Sequence, residues 1–68
     1  MQKIGEQIAQ RRKYFRISQA DLAEMAGVSL RTVSAIENGS ANPSISILSK
    51  ILEILGFVIT LQERVKYD

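Results

Sequence analysis

The stretch that decides the fold runs from Ser18 to Gly39 and reads SQADLAEMAGVSLRTVSAIENG. Each of its two apolar-periodic halves is preceded by a serine, and Gly27 separates them. The Ser18 hydroxyl can accept a hydrogen bond from the backbone N–H of Asp21, and Ser29 can cap the next helix in the same way. Gly27 is free to take the positive φ that ends a helix. The stretch therefore predicts two short helices joined by a tight turn.

The outward face of the second predicted helix has an unusual composition. It carries Arg31, Ser34, Ala35 and Asn38 and lacks the Glu/Lys pairs of an ordinary exposed helix. A helix that enters the DNA major groove, about 12 Å wide, needs short side chains that can reach base edges. Arginine pairs with guanine, serine with several bases, and a methyl group contacts thymine. The face is suited to that task, the alternative being that its small residues are accidental.

Two charged residues interrupt the predicted apolar faces. The residues predicted to point inward are Ile4, Ile8, Phe15, Leu22, Met25, Ala26, Val33 and Ile36. Arg12 falls on the stripe of the first helix, Gln2 to Tyr14, and Glu37 lies beside the inward positions of the third. Each would bury an unpaired charge at considerable cost if it stood alone.

Composition excludes several classes of protein. The 68 residues make one small domain with a marginal core, and oligomerisation is the expected extra source of stability. Cysteine and histidine are both absent, so we expect no disulfide, no metal site and no cofactor. Nucleophile–base pairs and phosphate loops are absent too, and an enzyme is not expected. Neither a membrane span nor a signal peptide is visible, which predicts a cytoplasmic protein.

The C-terminal part of the chain changes its hydrophobic period. The fourth predicted helix, Ser44 to Leu55, is apolar over about 180°, wider than the roughly 100° that one core needs. After Gly56, the segment from Phe57 to Leu61 alternates at period two with β-branched and aromatic residues, which is typical of a strand. A lone strand lacks a partner in this chain, so pairing with a second subunit is predicted. The predicted fold is mainly α, with a helical domain over 1–56 and a dimerisation strand and tail over 57–68.

A family resemblance rests on the segment SQADLAEMAGVSLRTVSAIENGSANPSISILSKILEILG. From about Ile4 to Gly56 the chain resembles the XRE family, the lambda-repressor/Cro-like helix-turn-helix proteins. The resemblance implies a transcriptional regulator that binds double-stranded DNA as a homodimer on a palindromic operator. The segment LGFVITLQ resembles the end of HipB-type antitoxins, whose C-terminal strand pairs across the dimer.

The resemblance also implies roles for individual residues. Base contacts are expected from Leu30, Arg31, Ser34 and Ala35. Phosphate contacts are expected from Gln19, Ser29, Thr32, Asn38, Asn42 and Ser44. For Asn42 and Ser44 a turn residue and a helix cap are equal alternatives. Arg12 and Glu37 correspond to a buried Arg–Glu pair in the family. The dimer interface is expected to comprise Ile47, Ile51, Ile54, Phe57, Val58, Ile59, Thr60 and Leu61.

The sequence leaves three functions open. The leading one is a homodimeric, sequence-specific DNA-binding regulator. The second is a HipB-like antitoxin that binds a HipA-like toxin kinase and represses its own operon. The third is a helical domain that only binds proteins, which predicts no salt-dependent binding to duplex DNA. Arg11, Lys13 and Arg16 could contact phosphate or could form a solvated basic face.

Overall fold

The protein is a bundle of four short helices, seen in a computed structural model that describes residues 2–60. In chain order the helices are α1 (Gln2–Tyr14), α2 (Gln19–Ala26), α3 (Leu30–Glu37) and α4 (Ile45–Ile54). This order confirms the predicted mainly α fold with four helices. None of the helices in the described part of the chain is long and apolar enough to cross a membrane.

Serine caps begin three of the helices. Ser18, Ser29 and Ser44 each take an extended conformation, and each hydroxyl accepts a hydrogen bond from the backbone N–H three residues later. The oxygen–nitrogen distances are 2.9, 3.1 and 3.2 Å. These bonds satisfy backbone donors that a helix start leaves free. The caps fix where α2, α3 and α4 begin.

All four helices end in the same hydrogen-bond pattern. A residue with positive φ follows the helix, and its N–H and that of the next residue donate to carbonyl oxygens of the last turn. At the end of α2, the Gly27 N–H donates to Glu24 O and the Val28 N–H donates to Ala23 O, with Gly27 at a φ of +70°. Gly39 and Gly56 hold the same position after α3 and α4. After α1 the position belongs to Arg16, at a φ of +59°. Arg16 is the non-glycine residue that carries this strain among residues 2–60.

Replacing Arg16 with glycine is expected to stabilise the fold. Glycine removes the contact between Cβ and backbone that makes a positive φ costly, but it also adds freedom to the unfolded chain. The net gain should be about 0.5–1 kcal/mol in the free energy of unfolding, measured by urea denaturation. Arg16→Ala is the control, because it removes the charge and keeps Cβ. An equal gain in both variants would attribute the effect to charge and contradict the backbone explanation.

The core is assembled from all four helices. Its buried residues are Ile8, Leu22, Ala23, Ala26, Val33, Ile36, Leu48, Ile51 and Leu55. The inward placement of Ile8, Val33 and Ile36 is confirmed, but that of Met25 is wrong, since its side chain is 58% exposed. Ile4 and Phe15 are also more exposed than predicted, at 39% and 43%, and Phe15 lies in the turn after α1.

A buried glycine lets α1 approach α3 closely. A Cβ built on Gly5 would overlap the carbonyl oxygen of Ile36 and would lie 2.7 Å from the carbonyl oxygen of Glu37. The helices therefore meet backbone to backbone at the C-terminal end of α3. Only glycine fits such an approach without a shift of one helix. Helical periodicity gives no hint of this contact, so it was not among the predictions.

The predicted strand is absent from the described part of the C-terminal segment. Residues 57–60 have no regular secondary structure, and Leu61 lies outside the described residues. The Phe57 N–H instead donates to Leu52 O at 2.8 Å and completes the end of α4. A strand needs a neighbouring strand to bind its backbone groups, and the described remainder of this chain is helices and turns. The alternating period predicted a strand paired with a second subunit, and residues 57–60 of this single chain form none.

Candidate nucleic-acid interface

The predicted base-contact residues lie together in one shallow open groove. Its lining side chains are Gln19, Leu30, Arg31, Ser34, Ala35, Asn38 and Ser40. Leu30 and Arg31 are exposed, whereas Ser34 and Ala35 are half-buried at the floor. The lining contains one cation and no carboxylate. The groove presents short polar and apolar groups around a single guanidinium, a composition that suits base edges beside phosphates.

The α2–turn–α3 unit holds this groove in place. Val33 and Ile36 are buried on the opposite side of α3, at 1% and 0% exposure. They pack with Leu22 and Ala23 of α2 in the core. The outward direction of Arg31 therefore follows from the burial of the other face. The Ser29 hydroxyl fixes the start of α3 by bonding both the N–H and the hydroxyl of Thr32, at 3.1 and 2.9 Å.

Arg12 and Glu37 form an ion pair beneath the groove. The Arg12 Nε donates to Glu37 Oε2 at 2.7 Å, and its Nη2 donates to Glu37 Oε1 at 3.1 Å. The side chains are only 11% and 7% exposed. Arg12 Nη1 also donates to the backbone oxygen of Ile17 at 2.8 Å. The pair therefore joins α1, the turn after it and the end of α3, in keeping with the two interrupted apolar stripes.

Gln19 is a third member of this network. Its Nε2 donates to Glu37 Oε1 at 3.0 Å, while the side chain also lines the groove and is half-buried. The resemblance implied a phosphate contact for Gln19 and a structural pair for Glu37, but not the bond between them. No local pattern could reveal that bond, since the two residues lie 18 positions apart.

Ser29, Ser44 and Asn38, three of the other predicted phosphate contacts, have local roles in the fold. Ser29 and Ser44 are helix caps, so the cap alternative holds for Ser44. The Asn38 Oδ1 accepts a hydrogen bond from the Ser40 N–H at 2.9 Å and shapes the turn after α3. Asn42 is exposed in the loop before α4. Asn38 and Asn42 are accessible to a ligand, and Asn38 is on the groove itself.

The Arg11 side chain is half-buried and makes contacts within the fold, whereas Lys13 and Arg16 are exposed. The Arg11 Nε donates to Leu55 O at 3.0 Å, at the C-terminal end of α4. The guanidinium carbon lies 5.0, 4.8 and 5.4 Å from the ring centres of Tyr14, Phe15 and Phe57. Cation–π contacts at these distances are stabilising. Arg11 thus ties Phe57 to the end of α1, whereas the exposed Lys13 and Arg16 keep both alternatives, phosphate contact and a solvated face.

The residues predicted for the dimer interface differ in how far they are exposed. Ile51 is fully buried in the core of its own chain, so its placement in an interface is wrong. Within the single chain, the middle of the apolar arc of α4 packs on α2. Ile47 and Ile54, at the sides of the arc, are half-buried against the core. Val58 is 81% exposed, and Phe57, Ile59 and Thr60 are half-buried to exposed. Leu61 is outside the described residues.

No group of three or more Asp, Glu, His or Cys side chains among the described residues could hold an ion. Every buried side-chain nitrogen or oxygen within residues 2–60 has a hydrogen-bond partner.

Comparisons with known proteins agree with this geometry. The Helix-turn-helix family model (HTH_3) matches residues 8–60. An uncharacterized HTH-type transcriptional regulator of Methanocaldococcus jannaschii, MJ0272, is 41% identical over 51 residues, which are 69% of this chain and 77% of that protein. Family membership confirms the resemblance to the lambda-repressor/Cro-like helix-turn-helix proteins and the expectation that the chain is a regulator rather than an enzyme.

Two solved structures share the fold. One, of a SinR protein/SinI protein complex, superposes with a TM-score of 0.75 and 41% identity over 81% of this chain. This chain spans 54% of that one, about half its length. The other is the master regulator for biofilm formation SinR in complex with DNA, with a TM-score of 0.71, 44% identity, and coverage of 79% of this chain and 87% of that one. The chain belongs to the HTH_3 helix-turn-helix family, and its fold is similar to that of the matched part of SinR.

Proposed function

We propose that this protein is a sequence-specific transcriptional regulator that binds double-stranded DNA by inserting α3 into the major groove. The observation that carries the proposal is the groove around Arg31, Ser34 and Ala35. It combines one exposed guanidinium with short side chains and is lined by no carboxylate. A relative supports the same function, since the SinR structure that is 44% identical to this chain was solved in complex with DNA.

Base and phosphate contacts are proposed to divide along the groove. Leu30, Arg31, Ser34 and Ala35 would read base edges, because they project from the exposed side of α3. Phosphate contacts would come from Gln19, Thr32, Asn38 and Asn42, and from the N–H groups near the caps Ser29 and Ser44. Contacts of the second kind position the protein without reading sequence.

Homodimerisation is the second part of the proposal. A 68-residue chain has a small core, and this one leaves Ile45 and Val58 largely exposed, at 71% and 81%. Two copies could cover these side chains along α4 and residues 57–60. A two-fold axis would then space the two copies of α3 one DNA turn apart, about 34 Å. The interface would include Ile47, Ile54, Phe57, Val58, Ile59 and Thr60, without Ile51.

The antitoxin alternative has less support. It depended on a C-terminal strand like that of HipB-type proteins, and the described residues 57–60 form none. No contact among residues 2–60 favours a toxin kinase as partner over a second copy. The regulator without an obligatory toxin is the simpler proposal.

In vitro selection of bound duplexes tests the function, and Arg31→Ala tests the docking. The selected site should be palindromic, and the chain should sediment as a dimer at micromolar concentration.

Arg31→Ala should cost about 1–3 kcal/mol of binding free energy and relax the preference at one position of each half-site. Lys3→Ala, an exposed cation on α1, is the control and should keep the preference. Unchanged affinity and preference in Arg31→Ala would contradict the docking, and no salt-dependent duplex binding would favour a domain that only binds proteins.

A further inference from the structure

The carboxylate of Glu37 binds Gln19, a residue of the groove, as well as the half-buried Arg12. Its Oε1 accepts from Arg12 Nη2 and from Gln19 Nε2, at 3.1 and 3.0 Å. Its Oε2 accepts from Arg12 Nε at 2.7 Å. A structural ion pair needs only the bonds to Arg12. The bond to Gln19 connects the pair to a side chain that reaches the proposed DNA surface.

We infer that Glu37 is a positioning residue for DNA: it holds the Gln19 amide so that a free N–H of Nε2 is available to a backbone phosphate. A primary amide has two N–H donors at one end and an acceptor oxygen at the other. A carboxylate only accepts, so the Glu37 bond determines that the nitrogen end of the amide lies at the network. One N–H is used by Glu37, and the second remains for phosphate. This inference rests on the DNA-binding function proposed above.

Two features of the network make this arrangement suited to an anion. Gln19 is the first residue of α2, where the backbone N–H groups and the helix dipole favour negative charge. Glu37 would repel phosphate if it were alone, but the Arg12 guanidinium neutralises it within 3.1 Å. The network therefore adds no net charge beneath the groove while it orders a flexible side chain in advance. Ordering a side chain before binding reduces the entropy lost on binding.

A double-mutant cycle on DNA affinity tests the inference. The two arms are Gln19→Ala and the replacement of the pair by apolar residues, Arg12→Met with Glu37→Met. Replacing both charges avoids leaving one buried alone, so the second background keeps its fold. Dissociation constants are measured on the selected duplex for all four proteins. The cycle cancels any effect that the pair replacement has by itself.

The expected result is that Gln19→Ala costs less binding affinity once the pair is gone. Gln19→Ala should weaken binding by about 2- to 10-fold in the wild type, as for one hydrogen bond to phosphate, and by less than about 2-fold in the pair-replaced background. Gln10→Ala, at an exposed glutamine of α1, is the matched control and should have no effect in either background. The same cost of Gln19→Ala in both backgrounds would overturn the inference.

The outcomes also separate this inference from the DNA-binding proposal. If Gln19→Ala had no cost while Arg31→Ala did, the inference would be wrong and the function would stand. If the wild-type chain bound no duplex, both would fail.

A second measurement needs no variant. In the free wild-type protein, the side-chain ¹⁵N heteronuclear NOE of Gln19 should be higher than that of the exposed Gln7 and Gln10. An equally low value at all three would overturn the inference.

Discussion

Glu37→Ala is expected to lower the free energy of unfolding by about 3–5 kcal/mol, a large part of what a domain of this size has. The substitution removes the acceptor of two Arg12 donors and of Gln19, and it leaves a guanidinium that is only 11% exposed without its counter-charge. Urea denaturation followed by circular dichroism measures the change. Glu24→Ala, an exposed acid of α2, is the control and should change stability by less than about 0.5 kcal/mol.

The partner substitution completes this test. Arg12→Met should also be clearly destabilising, because it leaves the Glu37 carboxylate nearly buried with Gln19 as its remaining side-chain donor. The double variant should lose less than the sum of the two, since neither charge is then left alone. Strict additivity in the denaturation experiments would contradict a direct pair.

Local signals were the part of the fold that sequence could predict. Ser18, Gly27 and Ser29 act within one turn of their own position, so their side-chain chemistry already specifies helix starts and the turn between α2 and α3. The burial of Val33 and Ile36 followed from the helical period, and with it the outward direction of Arg31. The candidate groove was predictable to the same extent, because it is the reverse side of a buried stripe.

Contacts between distant segments were harder to predict. Arg12 and Glu37 could be paired because each one interrupts an apolar stripe, and a charge in that position is costly unless an opposite charge meets it. Gln19 is polar at a helix start, where polar residues are common, and nothing in its neighbourhood points to Glu37. Met25 was misplaced because a residue at the edge of a short helical face satisfies the same spacing as one at its centre.

The C-terminal segment illustrates a different limit. The alternation from Phe57 onward is real, but a strand forms only where another strand binds its backbone, and period two does not say whether that partner exists. In the single chain the Phe57 ring packs near the Arg11 guanidinium instead, at 5.4 Å. Val58 and Ile59 stay exposed, and the proposed homodimer would cover them.

Gly5→Ala is expected to destabilise the protein by about 3 kcal/mol, although alanine is the better helix former by about 1 kcal/mol. The new methyl group would overlap the Ile36 carbonyl oxygen and would lie 2.7 Å from that of Glu37. Both are backbone atoms that cannot rotate away, so α1 must shift away from α3, and the buried Ile8 on the same helix must shift with it. Gln7→Ala, at an exposed position of α1, is the matched control and should leave stability unchanged or slightly higher. If Gly5→Ala were as stable as this control in urea denaturation, α1 and α3 would not meet backbone to backbone, and the placement of Arg12 beneath the groove would lose its basis.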